Sequence, residues 1–176
     1  QLGSSLKKYC TNYKSLKFYF YSKKKLNIND NIKFKKIINK LKPKYIINAA
    51  AYTNVDGAEN NKNLCLKINS NSLINISKIC SINKITLIHF STDYVYSGNK
   101  KSNYIEYDHK APKSYYGYSK LQGEKNIIKY TKQYYIFRIS GLFSNHKNSF
   151  INKIIRLSKN NKIVKVVNDQ TTKPLF

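Results

Sequence analysis

Apolar positions fall into two alternating patterns along this chain. Short, nearly continuous blocks rich in β-branched and aromatic residues occur at 17–21 (KFYFY), 45–50 (YIINAA), 85–91 (ITLIHFS), 134–140 (YYIFRIS) and 163–167 (IVKVV). Such blocks predict buried parallel strands. Between them the spacing is helical. Residues 31–41 place Ile32, Ile37, Ile38 and Leu41 on one side, and residues 64–82 do the same with Leu66, Leu73, Ile76 and Ile79. Residues 115–130 and 150–157 predict two further helices. Strand–helix alternation of this kind implies an open α/β sheet with right-handed crossovers. No composition shift or internal repeat divides the 176 residues, so 1–176 reads as one domain.

Charge changes this picture little. Lys and Arg number 33 against 8 Asp and Glu, a net charge of +25. A nucleic acid or an anionic membrane would suit that sign. The lysines are scattered, however, and Lys, Asn, Ile, Tyr and Phe all have A/T-rich codons. Compositional drift is the plainer cause, and no specific nucleic-acid partner is expected. No apolar run approaches the length of a membrane span, and the apolar centre of KSLKFYFYSKKK is short and flanked by lysines. No membrane partner is expected. Cys10, Cys65 and Cys80 show no C-x-x-C spacing, and the three histidines are scattered. That predicts no metal site and reduced thiols in a cytoplasmic protein. The first residue is Gln and no Met occurs, so a piece of a longer chain is expected.

In α/β sheets ligands gather at the carboxyl ends of strands, and three exits stand out. NAAAYTNVD (48–56) leaves a strand with three alanines in an alanine-poor chain. Small side chains let a flat ligand approach the backbone; tight helix–sheet packing would use them equally. STDYVYSG follows the strand ITLIHF and offers Ser91, Thr92 and Asp93, which either meet a substrate or only cap a turn. It belongs to HFSTDYVYSG (89–98), one of the few stretches without lysine. YYGYSKLQGEK (115–125) places Tyr116 and Lys120 four apart, on one helical face. An ammonium beside a phenol favours the phenolate and lowers a pKa ordinarily near 10, so the phenol can exchange a proton with a carbonyl oxygen. Five Y-x-x-x-K matches occur in the chain. Only the one at Tyr116 and Lys120 opens a predicted helix soon after a strand ending in Ser-Thr.

NAAAYTNVDGAE, HFSTDYVYSG, SYYGYSKLQGE and VVNDQ, in this order, resemble the extended short-chain dehydrogenase/reductases, and among them the dTDP-4-dehydrorhamnose reductase family. The resemblance implies a Rossmann-like, doubly wound parallel sheet, here missing its first strand and the C-terminal substrate segment. It implies NADPH or NADH as cofactor and a nucleotide-sugar substrate, a dTDP-linked 6-deoxysugar reduced at its 4-keto group. By position, Tyr116 would be the general acid, Lys120 would hold the nicotinamide ribose and lower the pKa of Tyr116, and Thr92 would bond the substrate oxygen, with Asp93 and Tyr94 nearby. Ala49, Ala50, Ala51, Thr53 and Ser91 would line the cofactor. Gln1, Leu2 and Gly3 would end the glycine-rich phosphate turn. A homodimer is left open.

The chain departs from the family pattern at Gly141, where a tryptophan is usual, at Thr172 and Leu175 in DQTTKPLF, at Gly57, and at Asn27 where an aspartate is expected. These changes touch the sugar pocket more than Thr92, Tyr116 and Lys120. The competing readings are an epimerase or dehydratase acting on another nucleotide sugar, a non-catalytic relative such as a methionine adenosyltransferase regulatory subunit, and a basic nucleic-acid binder.

Overall fold

The computed structural model describes residues 1–142, 149–160 and 163–166. It divides into two compact units. One comprises Gln1–Phe20 with Ile139–Phe176 and contains α1 (Leu2–Cys10) and α7 (Phe150–Asn160). The other, Tyr21–Arg138, holds α2 (Asn31–Leu41), β1 (Tyr45–Asn48), α3 (Val55–Asn60), α4 (Lys62–Leu66), α5 (Ser72–Ile82), β2 (Thr86–Thr92) and α6 (Tyr115–Tyr130). β3 (Tyr134–Ile139) ends at the boundary between the units.

The sheet has the order β1-β2-β3, and β1 runs parallel to β2 with Asn48 opposite His89. Its core joins Phe34 and Ile38 of α2, Leu73, Ile76 and Cys80 of α5, Ile85 and Leu87 around β2, and Ile127 of α6. Burial alternates along the strands. Leu87, His89 and Ser91 are buried, whereas Tyr45, Ile47, Tyr135 and Phe137 are exposed. The apolar content of the strands predicts burial on both faces, and these four residues correct it. Composition alone does not distinguish a strand buried on one face from one buried on both.

Local chemistry explains the helix ends. Asp30 caps α2 by accepting from Lys33 N–H at 2.9 Å, and α2 closes on Lys42 in the left-handed region, just before Pro43. Ser114 caps α6 by accepting from Gly117 N–H at 3.1 Å, while the Glu59 carboxylate accepts from Tyr115 N–H at 2.7 Å. Two orphan donors of the first turn are thereby satisfied.

Three expectations fail here. Residues 17–21 form no strand, because an extended segment becomes one only through a ladder partner and none is present among the described residues. Residues 163–166 likewise form no strand, and Val167 lies outside the described residues. The helix expected over 64–82 is also interrupted: between α4 and α5, Lys67–Asn71 is a π-helical turn. Such turns frequently occur at functional sites, and this one buries the side chain of Asn69.

Two glycines of α6 are required by close approach. A Cβ on Gly117 would strike the carbonyl oxygen of Tyr94, and one on Gly123 would strike the carbonyl oxygen of Asn69. Both obstacles are backbone and cannot swing aside. Gly123→Ala should therefore lower stability by about 1–3 kcal/mol, the usual cost of overpacking, read as an earlier urea midpoint. A Gly123→Ala protein as stable as the parent would show that α6 can shift away from the π-helical turn.

Candidate active site

The exits of β1 and β2 and the start of α6 converge in the Tyr21–Arg138 unit. β1 ends at the buried Asn48, and the chain then opens into Ala49, Ala50 and Ala51. This opening is pinned from behind. Asn69 accepts from Tyr52 N–H at 2.8 Å and donates to Tyr52 C=O at 3.0 Å and to Ser119 Oγ at 3.0 Å. Ser119 Oγ in turn donates to Tyr116 C=O at 2.7 Å. One side chain on the π-helical turn thus ties the alanine loop to the first turn of α6. Thr53 is exposed on the same loop.

β2 ends in Ser91 and Thr92, both buried. Thr92 caps the short 3-10 turn Asp93–Val95, accepting from Tyr94 N–H at 3.2 Å and donating to the Asp93 carboxylate at 3.1 Å. Capping is only part of its role, because the Thr92 hydroxyl also acts on the Tyr116 phenol, opposing the rise that burial imposes on it. The Tyr94 ring meets the Tyr116 ring edge-on at 5.8 Å. Burial raises the Asp93 carboxyl above its ordinary range, against the opposing bonds from Thr92 and the turn backbone.

Lys120 is 1% exposed. Its Nζ donates to Phe90 C=O at 2.6 Å and lies 3.3 Å from His89 Nε2. Desolvation lowers its pKa to about 8, opposed by the charge of Glu124 one turn further along α6. The Tyr116 phenol is pushed the other way, up to about 12, chiefly by burial, against the lowering effect of the Thr92 hydroxyl. This corrects the expectation that Lys120 depresses Tyr116. The ammonium is turned to the β2 carbonyl, and desolvation of the phenolate dominates. The phenol therefore stays protonated near neutral pH, the form able to donate a proton.

Stability should report the buried lysine. In the unfolded chain Lys120 titrates near its ordinary 10.5, and in the folded chain near 8. Between those values the unfolded state holds a proton that the folded state lacks, so stability rises with pH across the window. Relative to Lys120→Met, the parent should gain about 2 kcal/mol between pH 7.5 and pH 10, measured by urea unfolding at both values. A constant difference would show that Lys120 titrates normally.

The structure brings Thr92, Asp93, Tyr94, Tyr116 and Lys120 together, with Ser91 and the alanine loop beside them. Gln1, Leu2 and Gly3 belong to the other unit. There Gln1 precedes α1, its carbonyl accepts from Ser4 and Ser5 N–H, and its Nε2 donates to Leu142 C=O at 3.0 Å. Thr172 and Leu175 lie outside the described residues. Sequence reasoning missed Asn48, Asn69 and His89. For His89 a signal existed: it alternates with Leu87 on the inward face of a strand, where a polar side chain needs a partner. Among the described residues no cluster of three or more His, Cys, Asp or Glu could hold a metal, and no helix is long and apolar enough to cross a membrane.

The RmlD substrate binding domain family matches residues 1–175. The dTDP-4-dehydrorhamnose reductase of Shigella flexneri is 36% identical over 137 residues, 78% of this chain and 46% of its own length. That of Aggregatibacter actinomycetemcomitans is 34% identical over all of this chain and 60% of its own length. Among solved structures, a dTDP-4-dehydrorhamnose reductase ortholog from Clostridium acetobutylicum superposes with a TM-score of 0.91 at 32% identity, covering 99% of this chain and 62% of that one. The Bacillus anthracis enzyme, solved in complex with NADP, gives 0.87 at 33% identity over 92% of this chain and 57% of that one. The chain thus spans about half the length of the curated relatives it matches. With a family match over nearly every residue and relatives at this level of identity, the chain belongs to the RmlD family of dTDP-4-dehydrorhamnose reductases.

Proposed function

We propose that this chain carries the proton-transfer site of an NADPH-dependent reductase acting on the 4-keto group of a dTDP-linked 6-deoxysugar, working in the cytoplasm, with residues 1–176 as its NAD(P)-binding domain. The observation that carries the reading is the Tyr116 ring set edge-on against Tyr94 of the Thr92 turn, with Lys120 buried one helical turn away. The NADP complex of the Bacillus anthracis relative favours the phosphorylated cofactor.

The residues present fit a nicotinamide cofactor. Ser91 Oγ is buried without a hydrogen-bond partner at the β2 exit, and the alanine side chains at the β1 exit leave the backbone open to a flat ring. Ser91, Ala49, Ala50, Ala51, Thr53 and Lys120 would hold it. The cofactor supplies the hydride. Tyr116 donates the phenolic proton to the alkoxide oxygen, and the Thr92 hydroxyl turns its hydrogen from the Asp93 carboxylate to hold that oxygen. Tyr94 and Asp93 border the sugar, and Tyr94 packs on the edge of the acid. Burial keeps Tyr116 in its donating form, so reduction is the direction its protonation state favours.

The test is NADPH oxidation followed by absorbance with dTDP-4-dehydrorhamnose as substrate. Oxidation by the parent and its loss in Tyr116→Phe is the expected result. A folded protein that binds NADPH but oxidises none would move the reading to another sugar or to a non-catalytic role.

A further inference from the structure

Behind Lys120 lies a buried chain of hydrogen bonds with a fixed polarity. Ala50 N–H donates to Asn48 Oδ1 at 3.1 Å, so the Asn48 amide cannot be reversed without losing that bond. Its Nδ2 then faces His89 Nδ1 at 3.1 Å. An amide nitrogen only donates, so Nδ1 must accept, and in a neutral imidazole the hydrogen is left on Nε2. Burial, with the Lys120 charge second, holds His89 well below the usual imidazole range, so the ring is neutral. The Nε2–H therefore points at Lys120 Nζ, 3.3 Å away.

An ammonium has hydrogens only and cannot accept this N–H, whereas a free amine has the lone pair to do so. We propose that Ala50, Asn48 and His89 form a tautomer lock that favours the amine form of Lys120, making His89 a positioning residue of the site. The titratable groups facing Lys120 favour the ammonium, against its desolvation. Glu124 of α6 favours the ammonium and is itself paired with Arg138 of β3, and Cys65 of α4 acts in the same sense as Glu124. Asn48 of β1 is neutral. The lock opposes Glu124 and acts in the same direction as the desolvation that lowers Lys120 to about 8. Its use in catalysis rests on the reductase reading; the lock itself does not.

The chain has three histidines, so ¹⁵N-histidine labelling of the full chain gives a readable spectrum. Replacing His109 and His146 by Gln assigns His89. Between pH 6 and 10, the expected result is a neutral His89 ring protonated at Nε2, with an Nε2 shift that inflects near pH 8 and loses the inflection in Lys120→Met. In Asn48→Asp a carboxylate accepts from the ring, the hydrogen moves to Nδ1, and the inflection rises in pH. An Nδ1–H tautomer in the parent, an imidazolium forming above pH 6, or no inflection would overturn the lock. If Lys120→Met fails to fold, the parent and Asn48→Asp titrations still decide. A merely structural His89 would show no Nε2 inflection that depends on Lys120. Failure of the reductase reading shows separately, as absence of NADPH oxidation by the parent.

Discussion

Tyr116→Phe is expected to reduce turnover by about 10²–10⁴-fold, the usual contribution of a positioned general acid, while leaving NADPH affinity within a factor of about 3. The substitution removes one oxygen. The ring stays on the first turn of α6, keeps its edge contact with Tyr94 and leaves the Ser114 cap untouched. The lost group is the phenol, whose proton is retained by burial. Because Thr92 also holds the 3-10 turn through Tyr94 N–H, Thr92→Val would combine chemistry with a loop defect, and Tyr116→Phe separates the two. Steady-state rates at saturating substrate, with NADPH binding by fluorescence, give both quantities. Equal turnover in parent and variant would remove Tyr116 from the chemistry. Equal losses in affinity and rate would make it a binding residue.

Elements whose ends are capped by their own neighbours were legible in the sequence. Asn31–Leu41 and Tyr115–Tyr130 run between the limits that their periodicity predicts, because Asp30 and Ser114 stand just before them. The strand blocks at 45–50, 85–91 and 134–140 were also legible, since each finds a ladder partner within the sheet. KFYFY has the same composition and finds none among the described residues, which no local pattern can report. The site divides in the same way. Thr92, Tyr116 and Lys120 are adjacent to motif landmarks, and their convergence follows from strand exit and helix start. The groups that orient them are contributed at long range: Asn69 to Tyr52 and Ser119, and Asn48 to His89. The direction in which Tyr116 is shifted also depended on depth rather than spacing. A spacing of four from Tyr to Lys sets a common face but not where the ammonium turns.

Arg138→Met should be the most destabilising single change away from the proton-transfer site, at about 3–5 kcal/mol, the cost of leaving a buried charge without its partner. Glu124 is 1% exposed. Arg138 meets it with two N–H groups, Nε to Oε1 at 3.0 Å and Nη2 to Oε2 at 2.7 Å, a fork that a single ammonium cannot reproduce. The remaining guanidinium nitrogen donates to Tyr96 Oη at 2.8 Å and to Glu106 C=O at 3.0 Å. Tyr96 stacks on Tyr104 at 4.4 Å and donates to Ile105 C=O. Arg138 therefore fastens β3 to α6 and to the loop that follows the Thr92 turn. The double variant Arg138→Met with Glu124→Gln removes the stranded charge and should recover part of the loss, measured by urea unfolding at pH 7. Without that recovery, the cost lies in the Tyr96 and Glu106 contacts and the ion pair contributes little. Recovery would place Glu124 in both networks of α6, paired with Arg138 for stability and opposing the His89 lock at Lys120. Arg138→Met alone should then leave an uncompensated carboxylate one turn from Lys120 and raise the pH of the His89 inflection.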